Sequence, residues 1–224
     1  MRNPALKKIL ITGANRGIGL ELCRQLLARG DEVIAVCRRV SDELMALNLR
    51  VIEGVDVSSD ESIRGLQNET GLESLDWLIN NAGILSVENL DNLDFAAMER
   101  QFRVNALGPL RVTAALLPKL GAGAKIGIIT SRMGSVEDNT SGGYYGYRMS
   151  KAAVNMAGVN LARDLQQSGI AVVLLHPGMV ATEMTGGRGI SPQQSVRGLI
   201  QRMDALNMAQ TGSFRHAEGE QLPW

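Results

Sequence analysis

Short apolar, largely β-branched runs recur along the chain, at Ile9 to Thr12, Val33 to Cys37, Val51 to Val55, Trp77 to Ile79, Ile126 to Thr130 and Ala171 to Leu175. Between them the apolar positions fall at helical spacing. Gly17 to Arg29 carries Ile18, Leu22, Leu26 and Leu27, and Asp94 to Leu120 and Tyr147 to Gln167 follow the same period. Strand alternating with helix predicts an α/β protein built on a parallel sheet with helices on both faces. Runs that are apolar at nearly every position, rather than alternating, fit strands covered on both sides. The last stretch, from Gly212-Ser213-Phe214 to Leu222-Pro223-Trp224, predicts one short further strand and a packed end.

The 224 residues predict a single domain over positions 1–224, with no internal repeat, low-complexity tract or linker. Lys plus Arg and Asp plus Glu balance at 23 each, which removes the electrostatic footprint of a nucleic-acid or membrane-surface binder. The two cysteines, Cys23 and Cys37, sit in apolar stretches and read as free buried thiols. His176 and His216 lack cysteine or carboxylate neighbours at metal-ligand spacing, so no metal is expected. The charged start, Met1-Arg2-Asn3-Pro4-Ala5-Leu6-Lys7-Lys8, precedes an apolar run too short for a signal-peptide core. No stretch approaches the roughly 20 apolar residues of a spanning helix. The expectation is a soluble, cytoplasmic protein.

Between the first strand and first helix lies Thr12-Gly13-Ala14-Asn15-Arg16-Gly17-Ile18-Gly19. Glycines there allow a tight turn and close approach of a ligand to the backbone, and the following helix offers its unpaired amides to an anion. A pyrophosphate is the natural occupant, although the order Gly13, Gly17, Gly19 departs from the standard dinucleotide spacing and a purely structural turn stays open. At the end of the second strand, where an acid would bond a free ribose 2′-hydroxyl, stand Arg38 and Arg39. A guanidinium attracts a 2′-phosphate instead, with Arg16 approaching from the other side, so NADP(H) is expected over NAD(H). The alternative is a set of solvated surface arginines.

Tyr147 and Lys151, four residues apart on one helical face, form the second constellation. A fixed cation beside a phenol favours phenolate, so the pKa of Tyr147 is expected below its usual value of about 10. Tyr144 and Tyr145 lack a lysine at that spacing. A core tyrosine beside a solvated lysine is the plain alternative.

These elements, with Asp56-Val57, Asn80-Asn81-Ala82-Gly83, Asn105, Ser131 and Pro177-Gly178 in order, resemble the short-chain dehydrogenase/reductase family over nearly the whole chain. Thr130 to Lys151 and the end Gly219 to Trp224 resemble its carbonyl-reductase branch, which includes the sniffer and C-factor proteins. The resemblance implies a Rossmann-type, doubly wound, mainly parallel sheet of about seven strands. It implies an NADP(H)-dependent carbonyl reductase acting on a small-molecule aldehyde or ketone, or its alcohol. The alternative is a nucleotide-binding signalling or sensor protein of C-factor type.

By the same resemblance, Tyr147 would donate a proton to the carbonyl oxygen. Lys151 would tune that phenol and hold the nicotinamide ribose. Ser131 would bond the carbonyl oxygen, with Thr130 and Ser135 as nearby hydroxyls and a simple turn role as the alternative. Asn105 would hold a water that relays protons from Lys151. Gly13, Asn15, Arg16, Gly17, Ile18, Gly19 and Arg38 would bind the cofactor, joined by Asp56, Val57, Asn81, Ala82 and Gly83 along the adenosine half. Pro177, Gly178, Val180 and Thr182 would contact the nicotinamide half. Asp56 as a helix cap and Asn81 as a brace of the sheet stay open. A substrate loop is expected at about 178–195, its glycine-rich part at Met184 to Gln194. Met133, Met179 and Met184 are candidates for the pocket or for ordinary core. Fold analogy suggests a homodimer pairing the two long helices.

Overall fold

The computed structural model describes residues 6–69 and 71–224. The start, residues 1–5, on which the signal-peptide reading partly rests, lies outside the described residues. Seven strands form one sheet in the order β3-β2-β1-β4-β5-β6-β7, every pair parallel. They are β1 (Lys8–Thr12), β2 (Glu32–Val36), β3 (Arg50–Ile52), β4 (Leu75–Asn80), β5 (Leu120–Ile129), β6 (Ala171–His176) and β7 (Ser213–His216). The helices are α1 (Gly17–Ala28), α2 (Asp42–Met45), α3 (Asp60–Gln67), α4 (Phe95–Phe102), α5 (Gly108–Leu116), α6 (Tyr145–Asp164) and α7 (Pro192–Ala205). This is the parallel α/β architecture the pattern predicts, in the Rossmann-like seven-strand form the resemblance implies.

Two cores explain the unbroken apolar strands. Ile9 and Ile11 of β1 face a cluster with Leu22 and Leu26 of α1 and Val196 and Leu199 of α7. Leu10, between them, faces Val112 and Leu116 of α5 and Val154 of α6. Successive side chains point to opposite faces, so a strand buried on both sides is apolar at every position. The chain end packs as predicted: Leu222 is buried and Trp224 stacks on Phe214 at 5.5 Å between ring centroids.

The pattern from Asp94 to Leu120, expected as one helix, is broken. Between α4 and α5 the chain makes a π-helical turn over Arg103–Leu107. Pro109 has no N–H for the carbonyl of Asn105 four residues back, so the α-ladder cannot run through. Pro118 ends the second half in a 3₁₀ turn, Leu117–Lys119, and Leu120 already pairs with Leu75 in the sheet. Helix α7, not anticipated from the pattern, starts at Pro192 behind a Ser191 cap.

Candidate active site

In a doubly wound sheet, loops leaving the carboxyl ends of strands on either side of a topological switch diverge and leave a crevice. Here the switch lies between β1 and β4. A cavity of about 980 Å³ opens there, walled by the glycine turn after β1, the end of β2, the loop after β4, the start of α6 and the loop after β6.

The glycine turn is held from below. Asn81 donates through Nδ2 to the carbonyls of Thr12 and Gly13, both at 3.0 Å, and Thr12 Oγ1 accepts the N–H groups of Asn81 and Ala82 at 3.1 and 3.2 Å. Gly13 has a φ of +66°, and a Cβ there would stand 2.8 Å from Ala82 Cα. At Gly19 a Cβ would meet the Gly13 carbonyl oxygen at 2.2 Å, so this glycine serves the packing of α1 on the turn. Helices α2, α3, α4 and α7 each have a serine or aspartate cap, whereas Arg16 lends α1 none. The α1 amides and dipole therefore face the cavity uncapped, which fits a pyrophosphate.

At the far end, exposed Arg38 and Arg39 line the cavity beside Asp56 and Val57. Burial pushes the Asp56 carboxyl up, but the Ser58 hydroxyl and amide, with Arg38 and Arg103, outweigh it and hold it below its usual value. Asp56 closes a local turn onto Ser58 at 2.7 and 2.8 Å, while Ser59 caps α3. Arg16 is engaged with Glu183 from the loop after β6, an ion pair linking two walls of the cavity. Arg16 and Arg38 border the same space, which fits a doubly anionic group, but Arg16 reaches one only by leaving Glu183.

Tyr147 and Lys151 meet on one face of α6. Lys151 Nζ lies 5.6 Å from the Tyr147 ring centroid and donates to the Ile129 carbonyl at 3.0 Å. Burial lowers the lysine to about 8. Burial also pushes the phenol up to about 12, opposed by a hydrogen bond with Ser131. The direction is opposite to the one expected from sequence. Lys151 sits beside the ring with its donor turned to Ile129, so desolvation decides. Ser131, just past β5, also accepts the Met133 N–H at 3.2 Å. Thr130 instead donates to Asn155 at 2.7 Å, and the Ser135 hydroxyl accepts from Asp138, which leaves Ser131 on the phenol.

The π turn places Asn105 in the core, where its side chain bonds both backbone groups of Ile84 at 2.8 Å and donates to Ser150 Oγ at 3.1 Å. Ser150 donates to the carbonyl of Tyr147 at 2.7 Å. The asparagine thus ties the loop after β4 to α6, and both of its amide donors are spent.

After β6 the chain closes on itself: Ile190 N–H donates to Met179 at 2.8 Å and Ala181 N–H to Ile190 at 2.9 Å. The Thr182 methyl packs near Gly17, and the Pro177 carbonyl accepts from Ser195 at 2.6 Å. Of the residues singled out from sequence, Gly13, Asn15, Arg16, Gly17, Ile18, Arg38, Arg39, Asp56, Val57, Asn81, Ala82, Gly83, Thr130, Tyr147, Lys151, Thr182 and Met184 line the cavity. Gly19, Asn105, Pro177, Gly178 and Val180 stand outside its wall as supports, while Ser131, also outside the wall, adjoins the site through the Tyr147 phenol. Glu21 and the thiol-bearing Cys37 line it without having been anticipated, whereas Glu183 and Gln193 belong to the loop expected at about 178–195. Glu183, next to Thr182 and of opposite charge to Arg16, also left a readable signal of its own.

A family model described as short chain dehydrogenase matches residues 7–191. The 1-hydroxy-2-glutathionyl-2-methyl-3-butene dehydrogenase of Rhodococcus sp. (strain AD45) is 44% identical over 227 positions, spanning 98% of this chain and 100% of that one. The C-signal protein of Myxococcus xanthus is 49% identical over 154 positions, 67% of this chain and 93% of that one. Among solved structures, the NADPH-bound carbonyl reductase from chicken fatty liver superposes with a TM-score of 0.90 at 31% identity, covering 98% and 99% of the two chains. The carbonyl reductase Sniffer of D. melanogaster does so with a TM-score of 0.90 at 30% identity, covering 98% and 100%. With the glycine turn, the Tyr147–Lys151 pair and the match over most of its length in agreement, the chain belongs to the short-chain dehydrogenase family.

Proposed function

We propose that this oxidoreductase is an NADP(H)-dependent carbonyl reductase, reversibly interconverting an aldehyde or ketone and its alcohol. The observation that carries the reading is the buried Tyr147 phenol, with the Ser131 hydroxyl close enough to oppose its upward shift and Lys151 beside its ring, at the wall of a dinucleotide-sized cavity. The bound dihydronicotinamide would supply hydride to the carbonyl carbon. A phenol raised to about 12 is fully protonated at neutral pH, so Tyr147 is ready as the acid. The alkoxide formed in reduction is a stronger base than phenolate, which makes that proton transfer downhill. Ser131 stabilises negative charge growing on the same oxygen. Lys151 holds the nicotinamide ribose and, once turned from Ile129, favours the phenolate left after transfer. Asn105 returns the proton through a water on its backbone carbonyl, which Pro109 takes out of the α-ladder. The glycine turn binds the pyrophosphate, Arg38 the 2′-phosphate, and Asp56 with Val57 the adenine side.

NADPH consumption over a panel of aldehydes, ketones, diketones and quinones tests the activity. The alcohol of a glutathione conjugate belongs in the reverse direction, given the activity for which the 44% identical relative is named. Tyr147→Phe is expected to abolish turnover while keeping NADPH binding; unchanged turnover would remove the phenol from the mechanism. Arg38→Asp is expected to weaken NADPH and spare NADH. A second reading, nucleotide-dependent signalling, draws on the likeness to C-signal. Persistence of a biological effect in Tyr147→Phe would favour it. The proposal includes a single domain over residues 1–224, a cytoplasmic location and a homodimer. Sedimentation tests the last, and Phe95, Phe102, Met149 and Met156 on α4 and α6 are exposed apolar candidates for that contact.

A further inference from the structure

Glu88, in the loop between β4 and α4, is 2% exposed. A buried carboxylate is costly unless its oxygens are well bonded, and the partners of this one are neutral donors. Oε1 accepts from Gln101 Nε2 at 2.9 Å and from the Ser86 hydroxyl; Oε2 accepts the backbone N–H of Gly146 at 3.2 Å. The Glu88 carbonyl takes the N–H of Tyr144 at 2.8 Å. Gln101, itself buried, accepts the Ser86 N–H at 3.1 Å, so the loop and α4 are locked to each other.

Gly146 is the second residue of α6, and its N–H is one of the four that no helical carbonyl can reach. Tyr144, which precedes the helix, offers no side-chain cap and sits at a φ of 53°. A negative charge at this end also complements the helix dipole. The fit is closed: a Cβ on Gly146 would stand 2.4 Å from Gln101 Nε2 and 2.8 Å from Met98 Cγ. The next residue is Tyr147.

We propose that Glu88 is a positioning residue for the reaction: its carboxylate caps α6 from outside the helix and sets the depth at which Tyr147 meets Ser131. The inference rests on the reading of Tyr147 as the proton donor. A displacement of about 1 Å at a reacting group lowers turnover by about a hundredfold, so a clamp one residue from the phenol acts on kcat more than on cofactor binding.

The chemistry of the clamp supplies its test. Both Glu88 oxygens accept, so Glu88→Gln turns an NH₂ toward a donor. Combining it with Gln101→Glu restores the polarity: the new amide donates to the new carboxylate, its oxygen keeps the Gly146 N–H, and the Ser86 N–H keeps an acceptor. Glu88→Gln is expected to lower kcat by at least about tenfold with NADPH Kd within about threefold, and to speed amide exchange at Gly146 and Tyr147 alone within α6. The double variant is expected to recover most of both. Wild-type kcat and exchange in the single variant would overturn the proposal, as would faster exchange along the whole of α6 or failure of the double variant to recover. If the single variant does not fold, the double variant decides: near wild-type kcat supports the clamp and a tenfold loss refutes it. Turnover retained in Tyr147→Phe would instead strike the proton-donor reading, while the exchange at Gly146 still reports on the clamp.

Discussion

Lys151 is held in the folded protein against its own preference, and this predicts a variant that gains stability while losing function. Burial lowers its pKa from 10.5 to about 8. At about 1.4 kcal/mol per pH unit, keeping that ammonium charged at neutral pH costs the folded state about 3 kcal/mol. Lys151→Met removes the charge and keeps the length of the side chain. It also strips the Ile129 carbonyl of its 3.0 Å partner, a loss of about 1–2 kcal/mol. The net expectation without cofactor at pH 7 is a gain of about 1–2 kcal/mol, or about 2–8 °C in Tm. Because the folded pKa lies below the unfolded one, the unfolded chain binds more protons between about 8 and 10.5, and wild-type stability rises through that window. The advantage of the variant therefore shrinks above pH 8 and reverses by about pH 10.5, where only the orphaned carbonyl remains. Tyr147, raised to about 12, destabilises both proteins alike above pH 10 and cancels in the difference. Urea unfolding of both proteins at pH 7 and pH 9.5 measures the effect. A variant less stable than wild type at pH 7, or a difference that ignores pH, would refute the reasoning.

Two glycine-to-alanine changes are expected to act in opposite directions. Gly19→Ala forces a Cβ against the Gly13 carbonyl oxygen and is expected to cost about 1–3 kcal/mol and weaken NADPH, whereas Gly65→Ala, in α3 with open space around it, is expected to stabilise by up to about 1 kcal/mol. Denaturant midpoints and NADPH titration separate the two. Glu183→Gln frees Arg16 from an exposed ion pair, so stability should hold within about 0.5 kcal/mol while NADPH affinity rises; an unchanged Kd would take Arg16 out of the cofactor site. Phe214→Ala removes a fully buried ring from β7 and the stack under Trp224, with an expected loss of about 3–5 kcal/mol in urea unfolding and little change in NADPH Kd.

The strands were legible because their signal is local. Ala171 to Leu175 is apolar throughout since β6 is covered on both faces, and each side chain needs only a neighbour above or below the sheet. The glycine turn and the Tyr147–Lys151 spacing were legible for the same reason, as local chain geometry brings their members together. The failures are equally specific. Asp94 to Leu120 kept its helical period across Gly108-Pro109, and the period alone does not register a missing N–H; the π turn that carries Asn105 follows from that single atom.

What tertiary structure alone decided lies between residues distant in sequence and in the balance of burial against charge. Arg16 meets Glu183 across 167 positions, and Glu88 meets Gly146 across 58. The four-residue spacing of Tyr147 and Lys151 predicts attraction between cation and phenolate, but the sign of each pKa shift depends on how completely water is removed. Packing of α6 against α4 and against the turn after β5 buries both groups, and desolvation of an ion then outweighs a neighbour whose own charge is penalised by the same burial.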